Sequence, residues 1–385
     1  MQTSNPDYLF QSSAQLQDTD NRKRKRAAAA GVGSPLDVGK VIDLVIVGGE
    51  AYVAESGWQA RRVDLNSCRT IRLYKGHKGP VTAVRLYLSP SLEGVPSKRY
   101  LFTSSWDKTI KIWDADNGDC IRTLTGHTDF VKSLTIIPGY LLSTSSDRSI
   151  KLWRLGERPL SEGLDCAQTL KLHSRPVDCS AVSQTENDDG EVQTRVWTAD
   201  SMGVIHEWSI TASGLTHWKT LKGHETSITQ LLPTDDGLWS VSMDKTAIFH
   251  SAFSDDVRKV IPHESYIRSI LPVPSWLSSH ALLLTGGDDE DLTVRTSQDE
   301  WVTSRVLSTV QGHCDAVTAI KLWKDQDGNW KIVTGGLDGT LRRWTLQDLL
   351  HPKVLDWEPS QSCLEDSMMT AEEERELLKL MSDEE

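Results

Sequence analysis

The stretch "SSWDKTIKIWD" at residues 104–114 combines a turn, a short alternating segment and a tryptophan. Asp107 lies in the turn, residues 109–112 alternate polar and apolar side chains, and Trp113 follows the aspartate by six residues. Alternation with a period of two predicts a half-buried strand. Similar stretches occur at residues 145–153 ("SSDRSIKLW") and 335–344 ("GGLDGTLRRW"), which indicates an internal repeat.

Histidines mark the start of each repeat. Gly-His pairs occur at residues 76–77, 126–127, 223–224 and 312–313, and His173 and His263 lie between them without the glycine. An alternating segment follows each of these histidines. A second strand then ends in small residues, a third commonly ends in tryptophan, and a fourth leads to the next histidine. Each unit therefore predicts four short strands.

Four strands per unit, with Gly-His at one end and Asp and Trp later, resemble the WD-repeat β-propeller family. The resemblance covers roughly residues 42–357. It implies an all-β, seven-bladed propeller with blades at about 42–75, 76–125, 126–172, 173–222, 223–262, 263–311 and 312–357. The last blade has no obvious fourth strand unless residues 352–357 ("PKVLDW") supply it. In that case, the ring closes by ordinary packing of blade 7 on blade 1.

The resemblance also implies a hydrogen-bonded network in each blade, which joins the histidine, a hydroxyl on the second strand, the turn aspartate and the tryptophan. The complete set is expected twice, as His77, Ser105, Asp107, Trp113 and as His127, Ser145, Asp147, Trp153. The last blade has His313, Asp338 and Trp344, with Gly336 at the hydroxyl position. Other blades depart from this pattern: Met202 replaces the aspartate in blade 4, and His250 and Arg295 replace the tryptophan in blades 5 and 6. Blade 1 shows no network.

Composition limits the function classes. The net charge is −12, from 42 basic and 54 acidic residues, so direct nucleic-acid binding is not expected. No apolar run is long enough to cross a membrane. The six cysteines form no Cys-x-x-Cys pair, which argues against zinc and disulfides. Phosphate-binding and nucleophile-elbow motifs are absent, and the acidic residues 286–292 lack calcium-loop spacing. We therefore expect no enzyme activity, cofactor, metal or small-molecule substrate.

The family architecture implies that the residue before each turn aspartate, and the residues three and five after each histidine, lie on one face near the central channel. We predict a partner-binding face from Trp106, Phe130, Lys132, Asp178, Met243, Tyr266, Arg268, Asp288 and Leu337. Trp106 should lie near Phe130 and Lys132, and Met243 near Tyr266 and Arg268. Exposed aromatic and arginine side chains anchor interfaces. The alternative interpretation is that Trp106 and Phe130 simply pack against blade edges.

Two segments flank the propeller. Residues 1–41 carry few large apolar side chains and are predicted to be disordered. They contain a candidate nuclear-import signal, which consists of Arg22, Lys23, Arg24, Lys25 and Arg26. The alternative is a solvated basic stretch. We expect the protein in the nucleus, and an additional cytoplasmic location stays open.

The acidic residues 358–385 carry a capping box, Thr370 with Glu373, which predicts a short helix. Leu377, Leu378 and Met381 form a narrow apolar stripe on it. Two interpretations stay open. The segment is either a helix that docks into a partner's groove, or a frayed acidic tail or helix against the propeller's own side.

These observations predict a noncatalytic scaffold or adaptor in a nuclear multiprotein complex, which binds a partner peptide or subunit through one propeller face. Two alternatives remain. One is a substrate receptor of a ubiquitin ligase, although the Trp-Asp-x-Arg motif of such receptors is missing at residues 113–116 and 153–156. The other is an accessory subunit of an RNA-processing or ribosome-biogenesis complex, in which the acidic chain would not contact RNA itself.

Overall fold

The computed structural model describes residues 21, 23–89, 97–156, 164–186, 192–211, 214–251, 258–297, 304–353 and 355. Residues 32–353 form one compact unit, and residues 1–31 and 354–385 belong to another. The larger unit contains seven four-stranded antiparallel sheets around a central channel. It is a seven-bladed β-propeller, which confirms the predicted fold class.

Blades 1 to 6 are each built from four consecutive strands. Blade 1 consists of Val41–Val47, Glu50–Glu55, Gln59–Asp64 and Arg69–Lys75. Blade 2 consists of Val81–Leu88, Arg99–Ser105, Ile110–Asp114 and Cys120–Leu124. Blade 3 consists of Val131–Ile137, Tyr140–Ser145, Ile150–Arg154 and Cys166–Leu170.

The second half of the ring follows the same order. Blade 4 consists of Val177–Glu186, Val192–Asp200, Val204–Thr211 and Gly214–Lys222. Blade 5 consists of Ile228–Thr234, Gly237–Ser242, Thr246–Ser251 and Arg258–Pro262. Blade 6 consists of Ile267–Val273, Ala281–Gly287, Leu292–Ser297 and Arg305–Val310.

Blade 7 takes its fourth strand from the other end of the propeller. Three strands, Val317–Lys324, Trp330–Gly336 and Thr340–Trp344, are consecutive, and Leu36–Asp37 pairs with the third of them. The expectation that residues 352–357 supply this strand is therefore wrong. A short helix, Leu346–Leu350, directly follows the third strand, because Thr345 caps it through a capping box.

The prediction that residues 1–41 are disordered also needs correction where the structure describes them. Residues 23–28 are helical and Ala29–Gly31 form a 3₁₀ turn. The four consecutive alanines at 27–30 favour helix, since alanine has the highest helix propensity. Leu36 and Asp37 are strand residues because they complete a sheet edge that lies about 300 positions further along the chain.

The core is divided into seven apolar clusters, and each lies between two neighbouring blades. One cluster, for example, joins Tyr52 and Ala54 in blade 1 to Val81, Leu101 and Trp113 in blade 2. Corresponding clusters occupy each of the six remaining junctions, including that of blade 7 with blade 1. Alternate residues of each strand face one neighbouring blade and the others face the opposite neighbour. The ring is therefore held by packing between blades.

A β-bulge recurs at the start of every first strand. In all seven blades, the pairing register between the first and second strands skips the second residue of the first strand. A bulged residue is left out of the ladder and its side chain is re-aimed. The seven bulged residues are Ile42, Thr82, Lys132, Asp178, Thr229, Arg268 and Thr318. They are called the bulge ring below.

Candidate functional site

Hydrogen-bonded networks fix the turns that surround the channel mouth. In blade 2, the Trp113 indole N–H donates to the Thr103 hydroxyl at 2.8 Å. His77 Nε2 lies 2.7 Å from the same hydroxyl, and its Nδ1 lies 2.7 Å from Asp107 Oδ2. An ionised carboxylate only accepts hydrogen bonds, so Nδ1 carries the proton. The four side chains thus link the third strand to the turn that precedes it.

The predicted hydroxyl positions are wrong by two residues. The structure places Thr103, Ser143 and Thr334 in the networks of blades 2, 3 and 7, instead of Ser105, Ser145 and Gly336. Residues two apart on a strand face the same side, so the sequence alone did not separate them. Ser105 has another role: its hydroxyl bonds the Gly79 carbonyl and accepts the Asp107 N–H. The predicted His, Asp and Trp residues of these three blades all lie in the networks.

Blade 4 carries a complete network, contrary to the expectation from Met202. His173 bonds both Asp200 and Thr198, and the Trp208 indole donates to Thr198 at 2.8 Å. Asp200 ends the second strand, two residues before the position of Met202. Met202 itself is 52% exposed. The aspartate therefore acts from the strand end and not from the turn.

Blades 5 and 6 replace the tryptophan in different ways. In blade 5, His250 Nε2 lies 3.1 Å from the Ser240 hydroxyl, so the imidazole takes the place of the indole. In blade 6, His263 bonds Thr285, but its Nδ1 lies 3.2 Å from a backbone carbonyl, that of Ile261. Burial, together with repulsion by Arg295, lowers the pKa of His263 to about 4. Blade 6 is thus held by a neutral histidine.

The network carboxylates stay ionised at neutral pH. Burial by itself raises the pKa of Asp338, but hydrogen bonds from His313, Thr340 and the Cys314 backbone outweigh it and hold the pKa at about 2. The pKa of Asp107 is also held well below its usual value, since bonds from His77 and Thr109 outweigh burial. The turns that carry these aspartates are consequently rigid platforms for the residues beside them.

All seven residues of the bulge ring line the central channel, which has a volume of about 530 Å³. Six of them lie five positions after a repeat histidine, as the family resemblance implied for channel-facing residues. Several also connect the blades. The hydroxyls of Thr82, Thr229 and Thr318 each donate to the backbone carbonyl that begins the next blade, at 2.6–2.8 Å. Hydrogen bonds between neighbouring blades therefore connect the channel wall at the level of the bulge ring.

Charged members of the bulge ring are paired. Lys132 Nζ lies 3.8 Å from Asp178 Oδ1, and the Ser227 hydroxyl donates to Asp178 at 2.7 Å. Arg268 forms a two-bond ion pair with Asp288, which precedes the blade 6 turn. Four residues of the predicted face thus form two ion pairs at or beside the channel.

Aromatic residues of the predicted face lie together at the channel mouth. The rings of Trp106 and Phe130 stack with centroids 5.1 Å apart and planes 18° apart. Trp106 is 44% exposed and Phe130 is 37% exposed. The predicted proximity of these two residues is therefore correct, and neither is buried against a blade edge.

The remaining predicted face residues are spread around the mouth. Met243 and Leu337 line the channel, as does Arg268. Tyr266 is 43% exposed and lies beneath the Lys245 ammonium, which is 5.7 Å from its ring centroid. The structure thus places Met243 and Arg268 on one channel wall, with Tyr266 outside it.

Three functional candidates were missed from the sequence. Trp58 is 56% exposed in the turn of blade 1 that corresponds to the Trp106 turn, and it has a φ of 66°. A bulky residue with positive φ is strained. Arg85 and Lys321 line the channel below the bulge ring. Both lie eight positions after a repeat histidine, and this shared offset is a signal that could have identified them.

The predicted tail sites are only partly described. Lys23, Arg24 and Arg26 are exposed and helical, Lys25 is buried, and Arg22 lies outside the described residues. Leu377, Leu378 and Met381 also lie outside them. Within the described ranges, no helix has the length and apolarity to span a membrane. Among the residues that the structure describes, no group of three or more His, Cys, Asp or Glu side chains is placed to hold a metal ion.

Comparisons with known proteins agree with this geometry. The family model described as "WD domain, G-beta repeat" matches residues 68–114, 118–154 and 304–345. An uncharacterized WD repeat-containing protein of Schizosaccharomyces pombe is 30% identical over 100% of both chains. Two nuclear distribution proteins match over shorter stretches. PAC1-2 of Uncinocarpus reesii is 41% identical over 28% of this chain and 23% of its own, and PAC1 of Arthroderma benhamiae is 43% identical over 23% and 20%. The family model leaves residues 155–303 unmatched, although the structure gives blades 4 and 5, which lie within them, the His–Asp pair.

Proposed function

The chain belongs to the WD-repeat family, whose propellers act as protein-interaction scaffolds, and we propose that it binds a partner segment at the channel mouth. The face used is the one formed by the turns between second and third strands, such as that of Trp106, and by the connections that lead into each first strand, such as that of Phe130. The protein acts there without catalysis, as an adaptor that brings the partner to a larger assembly.

The observation that carries this proposal is the Trp106–Phe130 stack. Two large aromatic rings, each more than one-third exposed, lie side by side on neighbouring blades. Stacking holds them in one orientation, so little side-chain entropy is lost when a partner covers them. Full burial of such a side chain contributes about 1.5–3 kcal/mol. Rigid aromatic residues beside a pocket are the usual anchors of protein interfaces.

The polar surroundings of the stack support the same use. The Lys132–Asp178 pair lies on the adjacent channel wall, and the Arg268–Asp288 pair lies across the mouth. Both pairs hold charged groups in fixed positions, where they offer directional contacts to a partner's backbone or side chains. Trp58 and Met202 extend the exposed apolar surface to blades 1 and 4.

The experiment that tests this face compares proteins co-purified from cells. Trp106→Ala combined with Phe130→Ala is the test variant. Trp218→Ala is the matched control, because Trp218 is 69% exposed on the outermost strand of blade 4, away from the channel. We expect a defined set of proteins to be lost from the test variant and retained by the control. Equal sets from all three proteins would contradict the proposed face.

A nuclear location is part of the proposal, and it rests on the basic run at residues 22–26. Replacing Lys23, Arg24 and Arg26 by alanine in a fluorescent fusion should shift the protein from nucleus to cytoplasm. An unchanged distribution would remove this part of the proposal without affecting the binding face. The nuclear distribution proteins match this chain over about a quarter of its length, and the proposed location does not rest on them.

Ubiquitin-ligase and RNA-processing roles remain alternative assemblies for the same adaptor. The co-purification separates them: ligase subunits would favour the first, and RNA enzymes or ribosome-assembly proteins the second.

A further inference from the structure

The channel wall holds unequal numbers of positive and negative groups in one sector. Arg85 in blade 2, Asp43 in blade 1 and Lys321 in blade 7 are contributed by the first strands of three neighbouring blades. The Asp43 carboxylate accepts the Val84 backbone N–H at 3.1 Å and is ion-paired with Arg85. This sector therefore holds two cations and one carboxylate, and the carboxylate is ion-paired with Arg85.

Lys321 differs from the other channel cations. No ion pair within 4.0 Å and no hydrogen bond to its ammonium group is found among the residues that the structure describes. Burial lowers the pKa of Lys321, the Asp43 charge acts in the opposite direction, and Arg85 adds to the lowering. The ammonium group has thus lost part of its hydration and gained no direct partner in exchange.

The other charges of the wall are already matched. Lys132 pairs with Asp178, and Arg268 pairs with Asp288. The channel consequently has an excess of one positive charge, located where blades 7, 1 and 2 meet. This excess occurs in a protein whose net charge is −12. A narrow, low-dielectric cleft concentrates the field of such a charge.

We infer that the Arg85–Asp43–Lys321 sector of the channel binds one carboxylate side chain, an aspartate or glutamate, of an extended partner segment that lies across the channel mouth. The inference rests on the proposed binding face and names the chemistry of its partner. A carboxylate supplies a single negative charge, which balances the excess of one. A phosphate group would bring about −1.5 to −2 and leave the sector overbalanced.

Dimensions agree with this assignment. Arg85 and Lys321 lie four residues after the first residue of their strands, which is roughly 13 Å along the channel at about 3.3 Å per residue. Asp43 lies only two residues along its strand. The channel volume of about 530 Å³ falls within the range of ligand sites. The partner's acidic residue therefore projects into the channel, while its flanking residues cover the Trp106–Phe130 stack.

The test begins with a display library of random short peptides selected on the full-length protein. Enriched peptides are synthesised in three forms that carry glutamate, glutamine or phosphoserine at the enriched acidic position. Affinities are measured by fluorescence anisotropy with wild type, Lys321→Gln, and the double variant Trp106→Ala, Phe130→Ala. Lys98→Gln is the control for a lost surface charge, because Lys98 is exposed and outside the channel. Thermal melting of each variant verifies folding.

We expect selected peptides to be enriched in acidic residues, and the glutamate form to bind about tenfold tighter than the glutamine form. Lys321→Gln should abolish this difference, and Lys98→Gln should preserve it. No acidic enrichment, equal binding of the glutamate and glutamine forms, or tighter binding of the phosphoserine form would overturn the inference.

The design separates this inference from the proposed function. If binding depends on Trp106 and Phe130 but shows no charge preference, the charge assignment fails and the binding face stands. If the charge preference is lost in Lys321→Gln but binding does not depend on the aromatic pair, the face as proposed fails and the carboxylate site stands.

Discussion

The Nδ1 atom of His173 lies 3.0 Å from the Oδ2 atom of Asp200, although Asp200 is not at the position from which other blades supply their aspartate. It pairs with Val177 at the end of the second strand, where blades 2 and 3 have Ser105 and Ser145. The repeat histidine of a blade can therefore be bound by an aspartate either at the end of the second strand or in the turn that follows it. The His–Asp interaction, and not the sequence position of the aspartate, is what blades 2, 3, 4, 5 and 7 share.

Asp200→Ala should destabilise the protein by about 2–3 kcal/mol, because it leaves the buried His173 Nδ1–H without an acceptor. Met202→Ala is the control, since Met202 is at the position expected for the aspartate and is half exposed; it should change stability by less than about 0.5 kcal/mol. Urea unfolding measures both. Equal effects of the two substitutions would contradict the assignment of Asp200.

Trp113→Phe and Thr103→Val each remove one side of the bond between the indole N–H and the hydroxyl. Each should destabilise the protein, and the double variant should cost less than the sum, with a coupling energy of about 1 kcal/mol. A double-mutant cycle with chemical denaturation gives this value. A coupling energy near zero would show that the two side chains act independently.

Gly33→Ala should loosen the closure of the ring. A Cβ atom at Gly33 would lie 2.6 Å from the Trp344 ring, and the backbone there has a φ of 65°. The expected loss is at least about 2 kcal/mol, from the clash and the left-handed backbone together. Gly57→Ala is matched to it, because a Cβ atom there meets nothing within 4 Å. Similar melting temperatures for both variants would argue against a role in ring closure for the segment that contains Gly33 and the strand Leu36–Asp37.

His263 should make stability depend on pH. Its folded pKa of about 4 lies below the usual histidine value of 6.5, so protonation favours the unfolded chain. Stability is complete above about pH 6.5 and falls as the pH decreases toward the folded value; the loss by about pH 5 is on the order of 1–2 kcal/mol. His263→Gln should lose less over this interval in urea titrations. An identical loss in both proteins would rule out this histidine as the source. His206, whose pKa burial also lowers to about 4, offers a second variant for the same measurement.

Local patterns in the sequence were sufficient to predict the propeller. The histidine spacing, the turn aspartates and the strand-ending tryptophans repeat within short windows, and each repeat is a local unit. Position within a strand was harder to predict. Thr103 and Ser105 face the same side of their strand, and only the reach of the Trp113 indole selects Thr103.

Interactions between distant segments could not be predicted in the same way. The strand Leu36–Asp37 has only two residues, and its partner lies about 300 positions later. The channel charges pose a similar problem, because Asp43 belongs to the one blade without a repeat histidine. Its proximity to Arg85 follows from the packing of blade 1 on blade 2, and closure of the ring brings Lys321 of blade 7 to the same sector. Trp106 and Phe130, in contrast, belong to two regular repeats, so their proximity could be predicted.

The strand Leu36–Asp37 also determines when the molecule can be finished. During synthesis it leaves the ribosome before any blade, whereas its partner, Thr340–Trp344, is among the last propeller segments to appear. Every nascent chain therefore holds an open arc of blades, in which the apolar face that blade 1 packs on blade 7 stays uncovered until translation has passed residue 344. The ring closes only in a polypeptide that contains both of these strands. Closure thus acts as a check on the integrity of the chain, since a prematurely terminated product keeps an uncovered apolar surface of the kind that chaperones and proteases recognise.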